Sequence, residues 1–252
     1  MKKLLVSVLA LLAVTAAFAV PGSFKASTGG VLLPSAKIAE ATTVSTQFYQ
    51  HTNISLNGGL DIKDSFFGFN NLQIVLPVGQ FVESEALNNL EVSARYDFES
   101  DYYNELTIGA KYVLPIELEN LSVAVGGQYA SIFWPDEINM LGTFTGSNVY
   151  GAVTYSLGQL PLSITAGAVY DFDLERIQYG AGAEYDFGVA KAGLEYYDLN
   201  PVSGLDLSAF SIYATADLYK GLGATVSYTF VNENVPAIDS INVFSAGLSY
   251  KF

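Results

Sequence analysis

The chain contains no cysteine and a single histidine, His51. The first absence excludes a disulfide framework and an N-terminal lipid anchor on Cys. Charge is also scarce: 14% of residues are charged, against about 25% in a typical soluble protein. Of that charge little is basic, 11 Lys and Arg against 25 Asp and Glu. So acidic a chain is not drawn to nucleic acid, whose binding depends on basic contacts to phosphates. Nor is there a run of about 18 apolar residues after the N-terminal region, so no membrane-spanning helix is expected. HExxH, CxxC and Walker-type loops are missing, and no metal site or other cofactor site is expected.

What the chain has instead is apolar and aromatic. Half of it is hydrophobic, with 17 Tyr, 16 Phe and 23 Gly. Much apolar surface, little charge and no spanning helix together point to a surface that faces something other than water. At the N-terminus, Lys2 and Lys3 precede a largely apolar run from Leu4 to Leu12, and Ala17-Phe18-Ala19 satisfies the small-x-small cleavage rule. Residues 1–19 are therefore expected to be a secretory signal peptide. Losing its two lysines takes the formal net charge from −14 to −16. Residues 20–40, punctuated by Gly, Ser and Pro, are expected to form an extended periplasmic lead-in, and residues 41–252 the main domain.

That domain alternates with a period of two, the signature of strands whose faces meet different environments. In Ile241–Phe252, the positions Phe244, Ala246, Leu248, Tyr250 and Phe252 are apolar, and Ser245, Gly247, Ser249 and Lys251 lie between them. About twelve such segments are expected: 43–50, 65–76, 90–98, 104–114, 120–131, 147–156, 161–171, 176–187, 189–198, 207–218, 222–231 and 241–252. Aromatics gather at segment ends. Tyr112, Tyr155, Tyr185 and Tyr250 lie at one end, and Phe98, Phe133, Trp134, Tyr170, Phe172, Tyr196, Tyr228 and Phe230 at the other. Two aromatic belts around an aliphatic band suit the two faces of a bilayer. Tight turns also alternate with longer polar connections such as 132–146 and 198–206, while 77–89 is long on the side expected to carry short turns, which means either a short helix there or a different register for the early strands.

An alternating strand ending in a terminal Phe resembles the last strand of bacterial outer-membrane β-barrel proteins. The resemblance implies that Phe244, Leu248, Tyr250 and Phe252 form a signal read by the outer-membrane assembly machinery, and that this strand closes on the first. The fold expected is all-β: a closed antiparallel transmembrane up-and-down barrel of about twelve strands. Closure is obligatory, because unpaired backbone groups in hydrocarbon cost several kcal/mol each.

Inward positions then carry both charge signs: Glu91, Arg95, Asp97, Glu105, Lys111, Arg176, Glu184, Asp186, Lys191, Glu195, Asp217 and Lys251. A turn at Phe187-Gly188 would set Glu184 directly opposite Lys191, and inward glycines such as Gly126, Gly180 and Gly193 are expected to leave the lumen room. Three functions follow. The first is a porin-like outer-membrane channel for passive diffusion of small hydrophilic solutes, favouring cations or neutral solutes. The second is a structural or adhesin-like barrel with a plugged lumen. The third is a barrel hydrolase using His51 with Asp61 or Asp64, and a lone surface histidine makes it the weakest. The partners expected are the lipid bilayer, the assembly machinery and small solutes or ions.

Overall fold

The computed structural model describes residues 33–56, 60–67, 71–98, 104–116, 118–133, 144–173, 175–198, 207–233 and 238–252. Trp134 and the expected signal peptide lie outside them. Thirteen strands appear among these residues: β1 (Thr43–Leu56), β2 (Leu60–Phe67), β3 (Asn71–Pro77), β4 (Leu90–Asp97), β5 (Asn104–Val113), β6 (Leu121–Phe133), β7 (Phe144–Leu157), β8 (Leu162–Asp171), β9 (Arg176–Asp186), β10 (Ala190–Asp198), β11 (Leu207–Tyr219), β12 (Leu222–Glu233) and β13 (Ile238–Lys251). No helix among the described residues is long and apolar enough to cross a membrane.

Every sequential pair from β3 to β13 is antiparallel, and β13 returns to β1 along its whole length, from Thr43↔Lys251 to Leu56↔Ile238. The sheet thus closes on itself through β13 and β1, and among the described strands β2 alone, paired only with β1, keeps one edge without a strand partner. β2 and β3 share one place in it: β2 pairs with β1 over 49–56 and β3 over 43–45. Thirteen segments therefore make a twelve-stranded barrel. The expected strand 65–76 catches only the second part of that shared place. Leu60–Phe67 is strand although Asp61, Lys63 and Asp64 make it look like a loop.

Short turns cluster at the end that holds Thr43 and Lys251, hereafter the lower end. Lys220 and Gly221 both have positive φ (42° and 85°), as a two-residue hairpin with a mirror-image turn requires. Residues 78–89 carry two single-turn 3₁₀ helices, Val78–Gln80 and Glu85–Leu87, which accounts for the one long lower connection.

Burial is inverted relative to a soluble protein. Large apolar side chains point outward and stay exposed, among them Ile108, Val125, Val149, Ile177, Leu194 and Ile212. Polar side chains point inward and are buried, including Gln73, Glu105, Thr107, Gln178 and Ser211. An apolar exterior of this extent demands lipid. At strand ends, outward aromatics two residues apart meet edge-on or tilted: Tyr96 with Phe98 at 4.9 Å, Tyr170 with Phe172 at 5.1 Å, Tyr185 with Phe187 at 4.7 Å and Tyr250 with Phe252 at 4.9 Å. Tyr155, Tyr196, Tyr228 and Phe230 are likewise exposed on the outer face, and Tyr112 is partly so.

Candidate functional site in the barrel lumen

The inner wall is built by odd-numbered positions on some strands and even-numbered positions on others. Inward residues on β4 and β5 concentrate charge. Lys111 Nζ lies 3.0 Å from Glu91 Oε1, with both side chains buried. Four residues further along β4, the Arg95 guanidinium grips the Asp97 carboxylate, with Nε 2.7 Å from Oδ2. Glu105 accepts a bond from Thr107 Oγ1 at 2.6 Å, while its other oxygen is buried without a partner. Glu195 is buried on β10 and Arg176 is half-buried on β9, across from Asp171.

The remaining lumen charges stand at the lower mouth. Lys251 reaches Asp217 at 3.4 Å, and Lys191 reaches Glu184 at 3.5 Å and Asp186 at 3.9 Å. The cross-strand partner of Lys191 is Asp186, not Glu184, which pairs with Gly193. The expected register is therefore off by two residues. The Phe187 N–H donates to the Ala190 carbonyl at 2.8 Å, so the turn is Gly188-Val189, one residue later than expected, with Gly188 at φ 86°. Glu184 still meets Lys191, but diagonally.

The stretch of wall from β11 through β13 to β1 is lined with hydroxyls above the lower mouth. Ser227 and Ser245 bond across β12 and β13 at 2.6 Å, and Thr229 donates to Ser211 at 3.0 Å.

Residues 33–41, of which 33–40 are expected in the extended periplasmic lead-in, run inside the barrel. Leu33, Ser35, Ala36 and Ala39 are buried. The Ala36 N–H donates to Thr154 Oγ1 and the Ala39 N–H to Glu91 Oε2, both at 2.9 Å. Ala36 packs on Ala124, Ala152 and Val113. Ala36 and Ala39, both buried, are the small side chains that let the segment lie close to the wall.

A second correction concerns the inward glycines. Gly126, Gly180 and Gly193 do not open the lumen, because the rings of Tyr150, Tyr197 and Tyr213 lie over them. The three tyrosines belong to the inner wall and were not among the candidates. The signal available in the sequence was parity: each falls on the polar face of its strand.

A cavity of about 350 Å³ remains, bounded by Lys37, Ile38 and Glu40 on one side and by Ser45, Thr225, Ser227 and Ser249 on the other. The backbone register sets His51 across from Phe244 and Ser65, while Asp64 pairs with Thr52 and Asp61 with Ser55. Neither acid is the cross-strand partner of His51. Among the described residues no group of three or more His, Cys, Asp or Glu side chains is placed to hold a metal ion.

The architecture has close parallels among solved structures. The fold is similar to that of the KdgM porin, with a TM-score of 0.53 at 13% identity, covering 83% of this chain and 99% of that one. A KdgM porin in complex with disordered oligogalacturonate gives 0.54 at 12% identity, with the same coverage. The COG4313 outer membrane channel from Pseudomonas putida F1 gives 0.52 at 10% identity, over 87% of this chain and 97% of that one. The chain has an outer-membrane β-barrel fold. No family model and no curated protein matches its sequence.

Proposed function

We propose that this protein is an outer-membrane channel for passive diffusion of small hydrophilic solutes, favouring cations and neutral solutes over anions, and not an enzyme. The observation that carries the reading is the polar cavity inside an inside-out barrel. Twelve strands enclose more space than side chains alone fill in eight-stranded barrels. The likeness in fold to the KdgM porin and the COG4313 channel supports the same reading. Around the cavity, Lys37, Arg95, Lys191 and Lys251 face Glu40, Glu184, Asp186, Glu195 and Asp217. That slight acidic excess, on a chain of net charge −14, disfavours anions. The same reading places the barrel in lipid by way of the assembly machinery that takes up Phe244, Leu248, Tyr250 and Phe252.

A plugged, structural or adhesin-like barrel is the second reading, and the presence of residues 33–41 inside the lumen favours it. Planar-bilayer recording of folded protein separates the two. Stepwise conductance with a reversal potential on the cation side supports the channel. A folded sample that never gives steps removes the channel and leaves the plug.

A further inference from the structure

We propose that residues 33–41 are the selectivity constriction of this channel: seated on one side of the lumen, they screen the Glu91–Lys111 pair from the passage and confine it to the hydroxyl-lined side, which suits small neutral polyhydroxylated solutes. The inference rests on the channel reading above.

The segment is docked at four separate places. A β-carbon on Gly180 would stand 2.7 Å from Leu33 Cδ2, and one on Gly167 would lie 4.0 Å from both Leu33 and Pro34. Ala36, fully buried, sits against Ala124 and Ala152. Ala39 is tied to Glu91 (2.9 Å), and Gln80 Nε2 donates to the Glu40 carbonyl at 2.7 Å. A chain that merely led into β1 would require none of this. The wall under it is small-sided where the segment lies, with two glycines and two alanines, so chain and wall fit as one packed unit.

The seating decides which wall a solute meets. Glu91, Asp97, Glu105 and Lys111 are buried and do not border the cavity, whereas Ser45, Thr215, Thr225, Ser227, Ser245 and Ser249 do. Each hydroxyl both donates and accepts hydrogen bonds, so this lane can replace the hydration of a sugar-like solute group by group. The hydroxyls themselves offer a desolvated ion no countercharge, and the charges across from them, Lys37 and Glu40, are of opposite sign. The charges that do border the cavity are the lower-mouth groups, as in the Lys251–Asp217 and Lys191–Glu184 pairs, together with Lys37 and Glu40 of the segment itself and with Arg95 and Glu195.

The test compares the wild type with a deletion of residues 33–41, both folded, by single-channel recording and by liposome swelling in neutral sugars of graded size. The deletion is expected to raise conductance by about twofold or more, as a wider pore with newly exposed wall charge must, and to admit larger sugars. Wild-type conductance and size limit in the deletion overturn the proposal and leave the channel standing. Steps from neither protein overturn both. Should the deletion not fold, Lys37→Cys serves in this cysteine-free chain. Lys37 is exposed and borders the cavity. A bulky thiol reagent attached there is expected to remove most of the conductance, and an undiminished conductance overturns the proposal.

Discussion

The ring of Tyr213 lies across Gly193, its cross-strand partner: a β-carbon on Gly193 would stand 2.3 Å from Tyr213 Cζ. Tyr150 covers Gly126 at 2.3 Å and Tyr197 covers Gly180 at 2.7 Å in the same way. Each ring shields a bare stretch of backbone, a known device for sheets that must carry glycine. It also delivers a hydroxyl: Tyr213 donates to Glu184 at 3.0 Å and Tyr197 to Gln178 at 3.2 Å.

Adding one methyl beneath such a ring has nowhere to go. Gly193→Ala and Gly126→Ala are each expected to destabilise the barrel by about 1–3 kcal/mol, the usual cost of overpacking. Gly151→Ala is the control, because a β-carbon there meets nothing closer than 4.0 Å. Its effect should stay within about 0.5 kcal/mol. Urea titration of the vesicle-inserted protein measures all three. Equal losses at the three positions would show that the rings do not pack on the glycines.

The strands were legible because lipid on one side and polar lumen on the other impose a strict period of two, readable without tertiary information. That is why ten of the twelve barrel positions fall within three residues of their expected bounds, while β1 runs six residues past its expected end to Leu56. What escaped has a different cause in each case. Leu60–Phe67 carries Asp61, Lys63 and Asp64, so its polarity hides its pairing with β1. Residues 33–41 have no periodicity, and their place inside the barrel is set by partners such as Thr154 and Glu91, distant in sequence. The Glu184 register depended on the turn lying one residue later, at Gly188-Val189. Inward tyrosines read as girdle or core by composition, and only parity separates Tyr150 from Tyr155.

The Glu91 carboxylate holds two partners at once, Lys111 Nζ at 3.0 Å and the Ala39 N–H at 2.9 Å. Removing one member of a buried pair strands the other, at about 3–5 kcal/mol, whereas removing both is far milder. Lys111→Met alone should therefore destabilise the barrel strongly, and Glu91→Gln together with Lys111→Met should recover most of the loss. A double-mutant cycle on unfolding free energies gives the coupling. Simple additivity of the two single variants would mean that the pair contributes no coupling of its own.

Charge at the lower mouth should set ion preference. Glu184, Asp186 and Asp217 border the cavity there beside Lys191 and Lys251. Replacing the three acids by Gln, Asn and Asn leaves the lysines in excess. The reversal potential in a salt gradient is expected to move toward the anion side, by about twofold or more in the permeability ratio. Glu91→Gln, behind residues 33–41, should move it much less. An unchanged reversal potential in the triple variant would place the selective charges elsewhere.

Ile108 separates a lipid-facing wall from a water-facing one. It sits at the middle of β5, points outward and is 50% exposed, between Ala94 and Tyr129 on the neighbouring strands. On a water-soluble barrel an arginine at so exposed a site would be almost neutral. In a bilayer the same change at mid-depth costs about 2–4 kcal/mol, falling to about 0–1 kcal/mol near the interface. Ile108→Arg should thus lower stability in vesicles by the larger amount, and Tyr112→Arg, near the lower end of the same strand, by little from charge burial. Lost aromatic packing adds a further term to Tyr112→Arg, which Tyr112→Ala measures alone. The depth dependence is the decisive readout, because it follows from lipid around the wall and from nothing in the strand itself.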